Sequence, residues 1–75
     1  MPKIPRISAK QALKVFEKIG YCQTRQKGSH IRLWHSDYPK RKPFTLPKHK
    51  ELKVGLLQKC VKDAGLAIEE FIELL

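Results

Sequence analysis

The stretch Gly28-Ser29-His30-Ile31-Arg32-Leu33-Trp34-His35 sets a glycine-led turn before a run with period two. Side chains of a strand alternate between its faces, so Ile31 and Leu33 share one side while His30, Arg32 and Trp34 share the other. If the aliphatic pair faces a core, a histidine, an arginine and a tryptophan stand in line on the open side of a sheet. Upstream, the residues from Tyr21 also follow period two, with Tyr21, Gln23 and Arg25 on one side and Cys22, Thr24 and Gln26 on the other, before Lys27-Gly28-Ser29 turns the chain. Downstream, Ser36 to Lys42 reads as a basic loop. Pro43-Phe44-Thr45-Leu46-Pro47 is then a short strand bracketed by prolines, which suits a sheet edge. The three strands form an antiparallel meander.

Helices flank this meander. Ala9, Ala12, Leu13, Phe16 and Ile19 recur at intervals of three and four, predicting an amphipathic helix from about Ser8 to Ile19. Ser8 and Gln11 have capping-box spacing, and Gly20 supplies a left-handed terminus. Leu52, Leu56, Leu57, Cys60, Val61 and Ala64 predict a second helix ended by Gly65. Ile68, Phe71, Ile72 and Leu75 predict a short third one, for which Ala67 offers no capping oxygen. Strands grouped between helices, without βαβ alternation, indicate an α+β two-layer sandwich of order α-β-β-β-α with a short C-terminal helix. Both main helices cover one sheet face and leave the other free to bind.

The chain has 75 residues, with 16 Lys or Arg against 7 Asp or Glu and a formal charge of +9. At this size a chain buries only about 60% of its unfolded surface, enough for one modest core and no second domain. No apolar run approaches the roughly 20 residues of a membrane span, and the N-terminus lacks the apolar segment of a secretory signal, so a soluble cytoplasmic protein is expected. Cys22 and Cys60 have no metal-ligand spacing with each other or with the three histidines, so both read as small buried hydrophobes and no metal site is expected. The bases all lie between Lys3 and Lys62, whereas residues 66–75 carry three glutamates and no base. Such a density of cations favours a polyanion by counterion release, and nucleic acid is the expected target. Acidic lipid would require a basic amphipathic helix, whereas most cations here fall in strands and loops.

Arg25-Gln26-Lys27-Gly28-Ser29-His30, the alternating strand, Leu46-Pro47-Lys48-His49, Glu51-Leu52-Lys53, Gly55 and Asp63-Ala64-Gly65-Leu66 together resemble the HicA (YcfA-like) toxin family. The resemblance runs from Ser8 to Phe71. It implies one HicA-like domain over residues 1–75, with residues 1–7 as an N-terminal arm and 67–75 as an acidic helical tail. It also implies a fold like the double-stranded RNA-binding domain, a ribosome-independent endoribonuclease acting on single-stranded or structured mRNA, and neutralisation by a HicB-type antitoxin in a type II toxin–antitoxin system. The histidine of the family's Gly-Ser-His motif is catalytic, and that residue here is His30.

RNA cleavage without a metal or small-molecule cofactor needs a base for the ribose 2′-hydroxyl, an acid for the leaving 5′-oxygen and positive charge at the phosphate. Histidine suits the proton transfers, so His30 is the expected general base or acid. Arg25, Lys27, Arg32 and Lys48 are candidates to stabilise phosphate charge, and the backbone N–H groups of Gly28 and Ser29 to approach it closely. The acid stays open, with His49 a candidate if it reaches the same face and otherwise a phosphate contact or surface residue. Trp34 is placed to stack on an unpaired base or to meet a partner protein. His35, on the Ile31 side, reads as structural or inert. The competing function is a non-catalytic RNA-binding module of the same fold, which would explain the charge equally well.

Overall fold

The computed structural model describes residues 3–75, and the chain runs α1 (Ala9–Lys18), β1 (Cys22–Lys27), β2 (His30–Trp34), β3 (Phe44–Pro47), α2 (Val54–Asp63) and α3 (Ile68–Leu74). This is the expected α+β order. Ser8 caps α1: its Oγ accepts from the Gln11 N–H at 3.2 Å, and Gln11 Oε1 accepts from the Ser8 N–H at 3.0 Å. That reciprocal pair satisfies two of the donors a helix start leaves open. Gly20 ends the helix at φ +104°, and a Cβ there would come within 2.8 Å of His35 Nε2. Glycine is therefore required both by conformation and by space. Ala67 offers α3 no side-chain oxygen, but Glu70 Oε1 accepts from the Ala67 N–H at 3.0 Å and supplies half of a capping box.

The sheet order is β1-β2-β3, antiparallel throughout. Ile31 and Leu33 of β2 and Phe44 and Leu46 of β3 are buried against Ala12, Val15 and Phe16 of α1 and Leu57, Cys60 and Val61 of α2. Phe16 is the centre of this core, with the rings of Phe44, Phe71 and Tyr21 at 4.8, 5.5 and 5.9 Å from its own. Phe71 thereby fastens α3 to the rest. The N-terminal stretch is tied down as well: Ile4 and Ile7 are in the core, and the Ile7 carbonyl accepts from the Leu52 N–H at 2.9 Å. Among the described residues, no helix is long and apolar enough to cross a membrane.

The cysteines differ. Cys60 is buried as expected, but Cys22 is exposed, which corrects the reading of both as core residues. The helices pack toward β3, leaving every residue of β1 exposed.

Two buried protons give the fold a pH dependence. Burial pushes the Tyr21 hydroxyl up to about 12, with Asp63 adding and Arg41 opposing, and its O–H donates to the Lys42 carbonyl at 2.8 Å. Burial also pushes the Cys60 thiol up to about 11, again with help from Asp63. The unfolded chain releases these protons first, from its ordinary values of 9.0 and 10.0, so their contribution is complete below about pH 9 and is lost as pH rises through the folded values. The midpoint of thermal unfolding is expected to fall between about pH 9 and 12, and Tyr21→Phe is expected to remove the upper part of that fall.

Candidate functional site

A bulge decides which side chains of β1 face the open side of the sheet. Cys22 pairs with Trp34 and Gln23 with Leu33, but Arg25, not Thr24, is the next residue in register, opposite Arg32. Gln26 then pairs with Ile31 and Lys27 with His30. Paired residues share a face, so uninterrupted alternation from Cys22 would have put Thr24 and Gln26 beside Arg32 and His30. The extra residue at Thr24 changes the phase and brings Arg25 and Lys27 there instead. Thr24 itself is held by a 3.4 Å hydrogen bond from its hydroxyl to the Arg32 carbonyl.

The two-residue turn between these strands is Gly28-Ser29. Gly28 has φ +58° and Ser29 is not left-handed, the II′ pattern that suits strand twist and needs glycine first. A Cβ at Gly28 would meet nothing within 4 Å, so glycine serves conformation here and the backbone faces open space. The Ser29 carbonyl accepts from the Lys48 N–H at 2.6 Å, which fixes the start of β2 to the end of β3.

Arg25, Lys27, His30, Arg32 and Thr45 line a hollow of about 300 Å³ on the open face. Three cations and a hydroxyl surround one imidazole, and no carboxylate lines the hollow. Arg32 Nη1 donates to Thr45 Oγ1 at 3.2 Å, which orients the guanidinium across the strand pair. Thr45 is the residue that motif reading misses. Its signal is the alternation of β3, where Phe44 and Leu46 are buried and Thr45 is exposed. Chemically, the hollow can hold a phosphate by charge-assisted hydrogen bonds and offers one imidazole, a side chain whose ring nitrogens can accept or donate a proton.

Other candidates lie elsewhere. Trp34 is 44% exposed on the same face, but it sits four residues along β2 from His30, about 13 Å away at strand spacing. Lys48 borders a separate hollow with Ala9, Lys10, Leu13 and Ile31. The exposed His49 lies beyond β3, where its carbonyl accepts from the Ala9 N–H at 2.9 Å, so neither Lys48 nor His49 lines the hollow around His30. His35 is structural: Nε2 donates to the Ile19 carbonyl at 2.7 Å, and Nδ1 accepts from the Asp37 N–H at 2.9 Å. Arg41 of the basic loop is likewise engaged, donating to the Ala64 carbonyl at 2.6 Å. Among the described residues, no three His, Cys, Asp or Glu side chains cluster as metal ligands.

Residues 9–66 match a family model described as the HicA toxin of bacterial toxin–antitoxin systems. No curated protein matches the chain.

Proposed function

Since the chain belongs to the HicA toxin family, and so to proteins that work with an antitoxin, we propose that it is a metal-independent endoribonuclease that cuts mRNA in the cytoplasm and is restrained by a HicB-type antitoxin. Residues 1–75 act as one unit in this reading. The observation that carries it is the placement of His30 among Arg25, Lys27 and Arg32 in a hollow without a carboxylate.

In this reading a phosphate of the RNA backbone sits against the cations, with the Gly28 and Ser29 N–H groups beside it. His30 takes the proton of the 2′-hydroxyl, the 2′-oxygen attacks phosphorus, and the bond to the 5′-oxygen breaks. The products are a 2′,3′-cyclic phosphate and a 5′-hydroxyl. No second imidazole lines the hollow, so the leaving oxygen takes its proton from water. The cations stabilise the charge that grows on the phosphate oxygens. Lys48 and His49 contact the backbone further along the strand. Trp34 and the exposed face of β1 provide the surface an antitoxin covers.

The test is incubation of the chain with single-stranded RNA in EDTA, with binding followed in the same samples and a HicB-type antitoxin added in parallel. Cutting that the antitoxin stops is the expected result. Binding without cutting would make the chain an RNA-binding module instead.

A further inference from the structure

Arg32 and Thr45 border a second hollow besides the one around His30. It holds about 260 Å³ and lies at the edge of β3, where the open sheet face meets α2. Phe44, Leu56 and Cys60 give it an apolar wall, and Lys59 and Asp63 supply charge. These two residues are four apart on α2 and so share a helix face. Both act on the same buried thiol, since Asp63 raises and Lys59 lowers the proton affinity of Cys60 that burial has already raised.

Asp63 occupies an unusual place. It is the last residue of α2, where a negative charge runs against the helix dipole. The nearby Arg41 guanidinium donates to the Ala64 carbonyl just beyond it. The hollow thus combines apolar lining from the part-exposed Leu56 and the edges of the buried Phe44 and Cys60 with one cationic donor and one anionic acceptor, beside an arginine shared with the hollow around His30. Those are the elements of a nucleobase site: a wall for the ring, and groups that read its edge.

We infer that this hollow binds the base of the nucleotide next to the cleaved phosphate, and that guanine is the base it fits. The inference rests on the endoribonuclease reading for the placement of that phosphate. Guanine presents O6 as an acceptor for Lys59, with N1–H and N2–H as two donors for Asp63. Adenine turns an amino group toward the ammonium and has no N1–H for the carboxylate. Uracil has a single donor between two carbonyls, which the carboxylate repels. Cytosine satisfies each group once and ranks between. Reading this edge requires that it be unpaired, so the substrate is single-stranded at this nucleotide even when the rest of the message is folded.

The test reads binding with cleavage disabled. The His30→Ala protein is titrated with short oligouridine carrying one guanosine, inosine, cytidine or adenosine at the centre, with and without Asp63→Asn. The guanosine oligonucleotide is expected to bind about ten-fold or more tightly than the adenosine one, the range a good bidentate base contact provides. Inosine, which lacks the N2 amino group, is expected between them. Asp63→Asn is expected to abolish the guanosine preference while oligouridine still binds. Lys59→Gln, at an exposed position, is expected to reduce the same preference without altering the last turn of α2. Equal affinity for guanosine and adenosine would overturn the inference, as would a preference that survives Asp63→Asn. A guanosine preference in a protein whose wild type cuts nothing would keep the base site and remove the nuclease.

Discussion

His30→Ala is expected to slow RNA cleavage by about 10²–10⁴-fold, the contribution of a positioned acid or base, while leaving RNA affinity nearly intact. Affinity and turnover separate because different groups carry them. Arg25, Lys27 and Arg32 remain around the hollow in the variant, and each phosphate they neutralise still releases its counterion. Arg32→Ala makes the contrast: it removes one cation and the hydrogen bond to Thr45. The slope of log affinity against log salt should then shrink by about 0.7 for single-stranded RNA. Binding titrations across a salt series, run beside initial cleavage rates, measure both effects. Equal loss of affinity and cleavage in His30→Ala would show that the imidazole only holds the RNA.

Phe16→Ala is expected to unfold much of the protein. Phe16 is fully buried and its ring touches those of Phe44 in β3, Phe71 in α3 and Tyr21 after α1. It is therefore the contact through which the sheet, the first helix and the C-terminal helix share one core. Truncating a buried phenylalanine costs about 3–5 kcal/mol, because the hydrophobic transfer is lost and a cavity remains. At a length of about 70–80 residues or fewer, a single hydrophobic core rarely supplies more than about 3–5 kcal/mol of net stability. Most or all of that margin is consumed. Urea unfolding followed by circular dichroism should show a midpoint near zero denaturant, or no folded baseline. A small shift instead would mean that the surrounding rings collapse into the space.

The parts of the site visible in the sequence are those set by local rules. Ile31 and Leu33 face the core and His30, Arg32 and Trp34 face outward because period two leaves no other arrangement once one face is buried. Ser8, Gln11 and Gly20 mark α1 because capping is decided by neighbours in the chain. Thr24 is different: nothing about a threonine between Gln23 and Arg25 announces a bulge, since pairing with β2 selects it. That single residue determines that Arg25 and Lys27 stand beside His30. Pairing in β3 ends at Pro47, and the chain then binds the start of α1 through the His49 carbonyl, which separates Lys48 and His49 from the hollow. Cys22 reads as a core residue from its side chain alone, and its pairing with Trp34, which puts it on the open face of the sheet, explains its exposure. Lys59 and Asp63 look like ordinary solvated positions of an amphipathic helix until α2 meets the edge of β3 and a hollow opens between them.

The most direct test of the central claim uses two RNA strands that differ by one oxygen. A single-stranded RNA is mapped for its cleavage site in EDTA, and the same strand is then made with a 2′-deoxy nucleotide immediately 5′ of the cleaved bond. The proposed chemistry predicts that the all-ribose strand is cut to a 2′,3′-cyclic phosphate and a 5′-hydroxyl, while the substituted bond resists and the strand still binds. Equal cutting of both strands, or binding of the all-ribose strand with no cutting, would contradict it.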